Sequence, residues 1–142
     1  MLNDLAEAER ENKDYPAAER DYGEALRIAK KISQQEGIAD YTSNLAALAL
    51  DREQWAETET LAREALALAE KVGRQELIAH DCHRIARALL KQSGKSDWQS
   101  DLQEALSLSR RAVEIFTRLR HPSLQSAQET LAEIEKARMK DE

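Results

Sequence analysis

The sequence repeats on itself. Displaced by forty residues, Leu5-Ala6 falls on Leu45-Ala46 and again on Ile85-Ala86, Tyr15 falls on Trp55, Ala25-Leu26 on Ala65-Leu66, and Ile38-Ala39 on Ile78-Ala79. In the third copy the match resumes after seven extra residues, with Leu102 standing where Trp55 stood and Ala112-Val113 where Ala65-Leu66 stood. A fourth start follows at Leu131-Ala132. A period of this length implies units that cannot bury an apolar face alone and must stack on copies of themselves.

Each unit reads as two amphipathic helices, A and B. Only four Gly and two Pro punctuate 142 residues, a composition that favours helices over turns and strands. In the first unit Leu2, Leu5 and Ala6 mark a short helix A. Asp14 then caps a helix with Pro16 in its first turn and Ala18, Tyr22, Ala25, Leu26 and Ala29 at helical spacing. Gly37 is expected to end this unit. The second predicts helices over residues 35–51 and 54–72, with Gly73 as the stop. The third predicts a helix over 75–92 and, after a capping box at Ser96-Asp97-Trp98-Gln99, a longer one running to Arg120. Pro122 is expected to open a last helix, with Leu124, Ala127, Leu131 and Ile134 on one stripe. One all-α domain over 1–142 follows, made of units at about 1–36, 37–74 and 75–120 plus a terminal helix at 122–140. The first helix begins almost at Met1 without an evident cap, so a piece of a longer protein stays open.

These residues resemble the tetratricopeptide repeat family over nearly the whole chain. The family pattern is met by Leu5-Ala6, Tyr15, Ala18, Tyr22 and Ala25, by Leu45-Ala46, Trp55, Thr58, Ala62 and Ala65, and less closely by Ile85-Ala86, Leu102, Ala105, Ser109 and Ala112. The forty-residue period is similar to that of the longer-helix subgroup typified by kinesin light chains and bacterial signalling-protein arms. The resemblance implies a right-handed α-solenoid of three helix pairs with a capping helix. It further implies a protein–protein interaction scaffold without catalysis or cofactor, holding a partner segment in the concave groove lined by the A helices. The alternative is an oligomerisation or spacer segment of a larger signalling protein, with self-association through its ends.

Several chemistries are disfavoured by the residues themselves. A net charge of −6 and a pI near 5.2 lack the positive field that nucleic acid or an anionic membrane would need. A lone Cys82, no basic-then-apolar leader and no run of eighteen apolar residues point to the cytoplasm. The stretch Ser93-Gly94-Lys95-Ser96 resembles the end of a phosphate-binding loop, but Leu89 occupies the leading glycine position and no strand precedes it. His80, Cys82 and His83 are close in sequence. On a helix, however, Cys82 shares the core face with Ile85, Ala86 and Leu89, while the histidines lie on the far side about 60° apart. They cannot converge on a metal with Cys82, and His121 stands alone beside Pro122, so no metal is expected. Trp98 lies outside the repeat pattern, either a partner anchor or folded back on neighbouring helices.

The face of each helix A opposite the core carries the candidate site. It reads Asp4, Glu7 and Glu11 in the first unit, Asp40, Asn44, Ala47 and Asp51 in the second, and His80, Arg84, Arg87 and Lys91 in the third, with His83 beside them. Asn44 and Arg84 match two places of the family's carboxylate-gripping clamp, whereas Asn3, Glu7 and His80 depart from it. An acidic partner segment would lie over His80, Arg84, Arg87 and Lys91, and protonated His80 would add attraction below about pH 6.5. The structural reading is internal neutralisation, with Asp40 and Asp51 offsetting His80, Arg84 and Lys91, and Glu133 near Arg87.

Overall fold

The computed structural model describes residues 2–92 and 98–140. Its helices are α1 (Leu2–Glu11), α2 (Tyr15–Lys31), α3 (Gln35–Asp51), α4 (Trp55–Val72), α5 (Gln75–Lys91), α6 (Trp98–Leu119) and α7 (Leu124–Lys140), with no strand among the described residues. The chain is an all-α helical-repeat solenoid. Helices α1, α3, α5 and α7 form one row, bridged successively by Asn44 to Asn3, Ser43 to Asp81 and His83 to Thr130. Helices α4 and α6 lie behind it, where Arg63 grips Glu104 through two 2.8 Å bonds and Arg111 meets Glu70 at 3.0 Å.

Small residues set the spacing between helices. Ala6, Ala46 and Ala86 on the A helices, and Ala18, Ala62 and Ala105 on the B helices, are fully buried. Without side chains beyond Cβ, these positions let backbones approach closely, and larger residues fill the spaces between. Tyr22 does so in the first unit, Phe116, Ile115 and Ile78 near the start of α5, and Ile85, Leu102, Leu106 and Ile134 near its end. The equivalents Leu5, Leu45 and Ile85 follow their surroundings. Ile85 is fully buried against α4, α6 and α7, whereas Leu5, on the first helix, is 51% exposed. Trp98 folds back, partly buried, against the Ile85 cluster.

Turn chemistry follows a twenty-residue cadence. Lys13, Ser33, Glu53 and Gly73 all adopt left-handed backbone, with φ of 62°, 54°, 57° and 76°. At the first turn Asp14 Oδ1 accepts the Ala17 amide N–H at 3.4 Å. Gly37 does not end a unit. It sits inside α3, where an added Cβ would come within 2.7 Å of Gln34 Oε1 and 3.3 Å of Ala29 Cβ, so its smallness serves packing rather than termination. Pro122 likewise precedes the last helix instead of opening it: Leu124 N–H bonds His121 O across a tight turn, and Arg120 is left-handed at φ 52°. Helix α6 starts four residues ahead of Leu102, adding about one turn relative to α4. The capping residues Ser96-Asp97 and the Ser93-to-Ser96 stretch lie outside the described residues.

Gly73 is the natural place to test this cadence, because nothing lies within 4 Å of an added Cβ and only backbone strain would oppose one. Replacing it with alanine should destabilise the fold by about 1–2 kcal/mol, the cost of left-handed backbone for an L side chain. Urea unfolding of Gly73→Ala checks this.

Candidate functional site

The A-helix row encloses a polar recess of about 300 Å³ between α1, α3 and α5. Glu7 and Arg10 enter it from α1, Asp40 and Asn44 from α3, Arg74 from the α4–α5 turn, and Glu76, His80 and Arg84 from α5. The helical period puts Asn44, His80 and Arg84 on this face. Arg10 and Arg74 were not singled out in the sequence, although Arg10 lies three residues from Glu7 and so on the same face.

At the floor is a buried charged cluster. Arg84 Nη1 donates to Ser43 Oγ at 2.7 Å and to Ser43 O at 3.2 Å, and Ser43 Oγ–H donates to Asp81 Oδ1 at 2.7 Å. Arg84 also stands 3.6 Å from Asp81 directly. Asp81 is completely buried and its second oxygen has no hydrogen-bond partner. Burial pushes its carboxyl up to about 7, against the opposing pull of Arg84. The sequence signal was legible in retrospect: Asp81 is four residues from both Leu77 and Ile85, on a core stripe.

The other expected residues do not form one continuous stripe. Asn44 Nδ2 donates to Asn3 Oδ1 at 2.9 Å at the rim. Asp51 pairs with Arg10 at 3.0 Å while also stabilising the Arg84 charge from further off, and Asp40 pairs with Arg74 at 3.3 Å. Arg10 reaches Asp51 from α1, and Arg74 reaches Asp40 from the α4–α5 turn. Arg87 lies 3.2 Å from Thr130 Oγ1 and 3.7 Å from Glu133 on α7, the latter as the charge pattern suggested. His83 bonds Thr130 Oγ1 at 2.9 Å, turning it toward α7. Glu11 and Lys91 are exposed and do not line the recess.

Neither His80 nor His83 is a solvated helical histidine. Burial lowers His80 to about 3, with Arg84 adding to the effect, and lowers His83 to about 4, with Arg84 and Arg87 adding. The expected gain of attraction from protonated His80 below pH 6.5 is therefore overturned. Nor does His121 stand alone. A helix B runs antiparallel to its helix A, so the end of α6 returns to the start of α5 and sets the His121 ring 5.1 Å from that of His80. Phe116 packs against both rings, and Glu76 Oε1 lies 2.9 Å from His121 Nε2 and 3.8 Å from His80 Nε2. Cys82 is fully buried in the core cluster of Ile78, Phe116 and Ala127, its thiol pushed up to about 11 by burial.

Two measurements test these electrostatics. Arg84→Met should cost on the order of 3–5 kcal/mol at pH 8, because it strands a buried charge. The cost should shrink at pH 5.5. Asp81's raised pKa means that protonation favours the folded state as pH falls through about 7 toward its unfolded value. His83 has the opposite sign: its lowered pKa gives stability that is complete above about 6.5 and is lost as pH falls toward 4. Urea unfolding across pH 4–7 should show a shallower acid-side decline for His83→Gln than for the unmodified chain.

Family comparison adds an independent finding. A tetratricopeptide repeat family profile matches residues 1–71, the first half of the chain. No curated protein matches the chain. Repeats of this kind generally mediate protein–protein interaction. With the matched half folded as the same helix pairs that recur in the second half, the chain belongs to the tetratricopeptide repeat family.

Proposed function

We propose that the chain is a non-catalytic interaction scaffold whose A-helix face holds a segment of a protein partner in the polar recess around Arg84. The observation that carries this reading is the recess itself: three helices and a turn converge polar side chains on one concavity. Binding proteins or peptides is typical of the family, as is the lack of catalysis. No helix among the described residues is long and apolar enough to cross a membrane. The acidic overall charge disfavours nucleic acid, and a cytoplasmic setting remains our reading of the lone cysteine.

Within the recess we assign a carboxylate of the partner to the Arg84 end and its backbone to the Asn44 amide. Arg10 and Arg74 are held by Asp51 and Asp40, and Glu7 stands exposed at the rim, so the acidic preference is local rather than a broad field. Arg87 and Lys91 would contribute only as outlying charges. A second reading rests on a different observation. Leu5 on α1, Ile28 on α2 and Ile32 at the end of α2 are 51%, 40% and 64% exposed, apolar surface suited to self-association through that end. Concentration-dependent mass in sedimentation would favour it.

Because Arg84 is part of the fold, the binding test uses rim residues. Against an array of acidic peptides and their charge-reversed copies, the acidic set should bind and weaken with salt. Asn44→Leu should weaken binding roughly 2- to 10-fold, the worth of one hydrogen bond. Glu7→Lys should strengthen it. Binding indifferent to both substitutions would place recognition elsewhere.

A further inference from the structure

Glu76, His80 and His121 form a cluster that partner binding in the recess does not require. Their ligand atoms all lie within 4.8 Å of one another, and they are the one such group among the described residues. We propose that this trio is a binding site for a first-row divalent transition ion of the zinc class, tying the start of α5 to the turn between α6 and α7.

The geometry suits the ion. Bonds of about 2.0–2.1 Å in a tetrahedral site put ligand atoms about 3.4 Å apart. The Glu76 oxygen stands 2.9 Å from His121 Nε2 and 3.8 Å from His80 Nε2, on either side of that value, and all three ligand atoms lie within 4.8 Å, so side-chain rotation closes them on the ion without moving a helix. Two of the ligands, Glu76 and His80, are spaced i,i+4 on α5 and share one helix face. Phe116 packs against both imidazoles at 5.0 and 4.9 Å, holding the rings in place from the core side. Glu76 remains half exposed, leaving a route for the ion and room for water as fourth ligand. Two imidazoles and one carboxylate suit zinc, nickel and cobalt better than magnesium or calcium.

The surroundings also limit affinity. His121 Nδ1 accepts the Ser123 amide N–H at 3.0 Å, so in the neutral metal-free ring the proton sits on Nε2 and is donated to Glu76. A metal on Nε2 moves that proton to Nδ1 and releases the Ser123 amide to water. Arg84 and Arg74 line the same recess and oppose a cation, although each is paired with an aspartate. The site is therefore an exchangeable one, and its effect is to fasten the start of α5 to the turn that follows α6.

The test is titration of the full chain with zinc chloride alone, followed by calorimetry and by thermal unfolding, with cobalt as a spectroscopic probe. One ion should bind per chain, and the unfolding midpoint should rise with zinc by mass action while magnesium and calcium leave it unchanged. Glu76→Gln, His80→Gln and His121→Gln should each weaken zinc at least ~10-fold, the loss that even outer partners of a ligand produce. His83→Gln, outside the trio, should bind as the unmodified chain does. Cobalt should give tetrahedral visible bands without a thiolate charge-transfer band. That spectrum needs no variant, so the proposal stays testable if a substitution misfolds. No saturable zinc binding, binding that survives His121→Gln in a folded chain, or a thiolate band reporting Cys82 would overturn it.

Discussion

Close approach of helices through alanine is the constraint on which the rest depends. Ala6, Ala46 and Ala86 are sealed within the A helices, and Ala18, Ala62 and Ala105 within the B helices. Such contacts fix the distance and direction of each pair, and once one pair is set, repetition sets the next. The solenoid follows from neighbour packing, without a central core that every helix touches. Larger apolar residues then occupy whatever room the alanines leave, which is why Leu5, Leu45 and Ile85 differ so much in burial despite equivalent positions. A residue's environment here depends on what is stacked before and after it.

The same stacking converts a one-dimensional charge pattern into a three-dimensional network. Asp81 is tolerated at a core position because Ser43, one helix away, donates to it and relays it to Arg84. Arg84 in turn is held by the backbone oxygen of the same serine. The recess thus has a floor fixed by structure and a rim of Asn44, Glu7 and Glu76 that is more accessible. The charges on the floor are thus held in place by neighbours, while the groups above them are free to adjust.

The helix pairs were legible because the forty-residue displacement keeps apolar and small residues in register, and helical periodicity then selects their faces. The inner row, and with it Asn44, His80 and Arg84 on the recess, was readable from the same geometry. Contacts between units were less so. That Asp51 meets Arg10 and Asp40 meets Arg74 depends on side-chain reach across helices and turns, and the sequence offered several cations at similar remove. His121 was missed for a different reason: it follows a helix B, and its neighbour His80 is forty-one residues earlier, brought close only when α6 folds back along α5. The Gly37 and Pro122 expectations erred by reading small or rigid residues as punctuation, when one fills a tight contact and the other lies within a turn.

The left-handed residues that close the helices lie apart from the recess. Lys13, Ser33 and Glu53 hold a backbone conformation that glycine adopts freely, as Gly73 does one step further along the same cadence. All three are exposed, and none borders the recess. Strain at these turns can be relieved by glycine or asparagine without altering the residues that line the recess. Strain at the turns can thus be adjusted apart from the recess, whereas Arg84 on the recess floor ties stability to the groups displayed there.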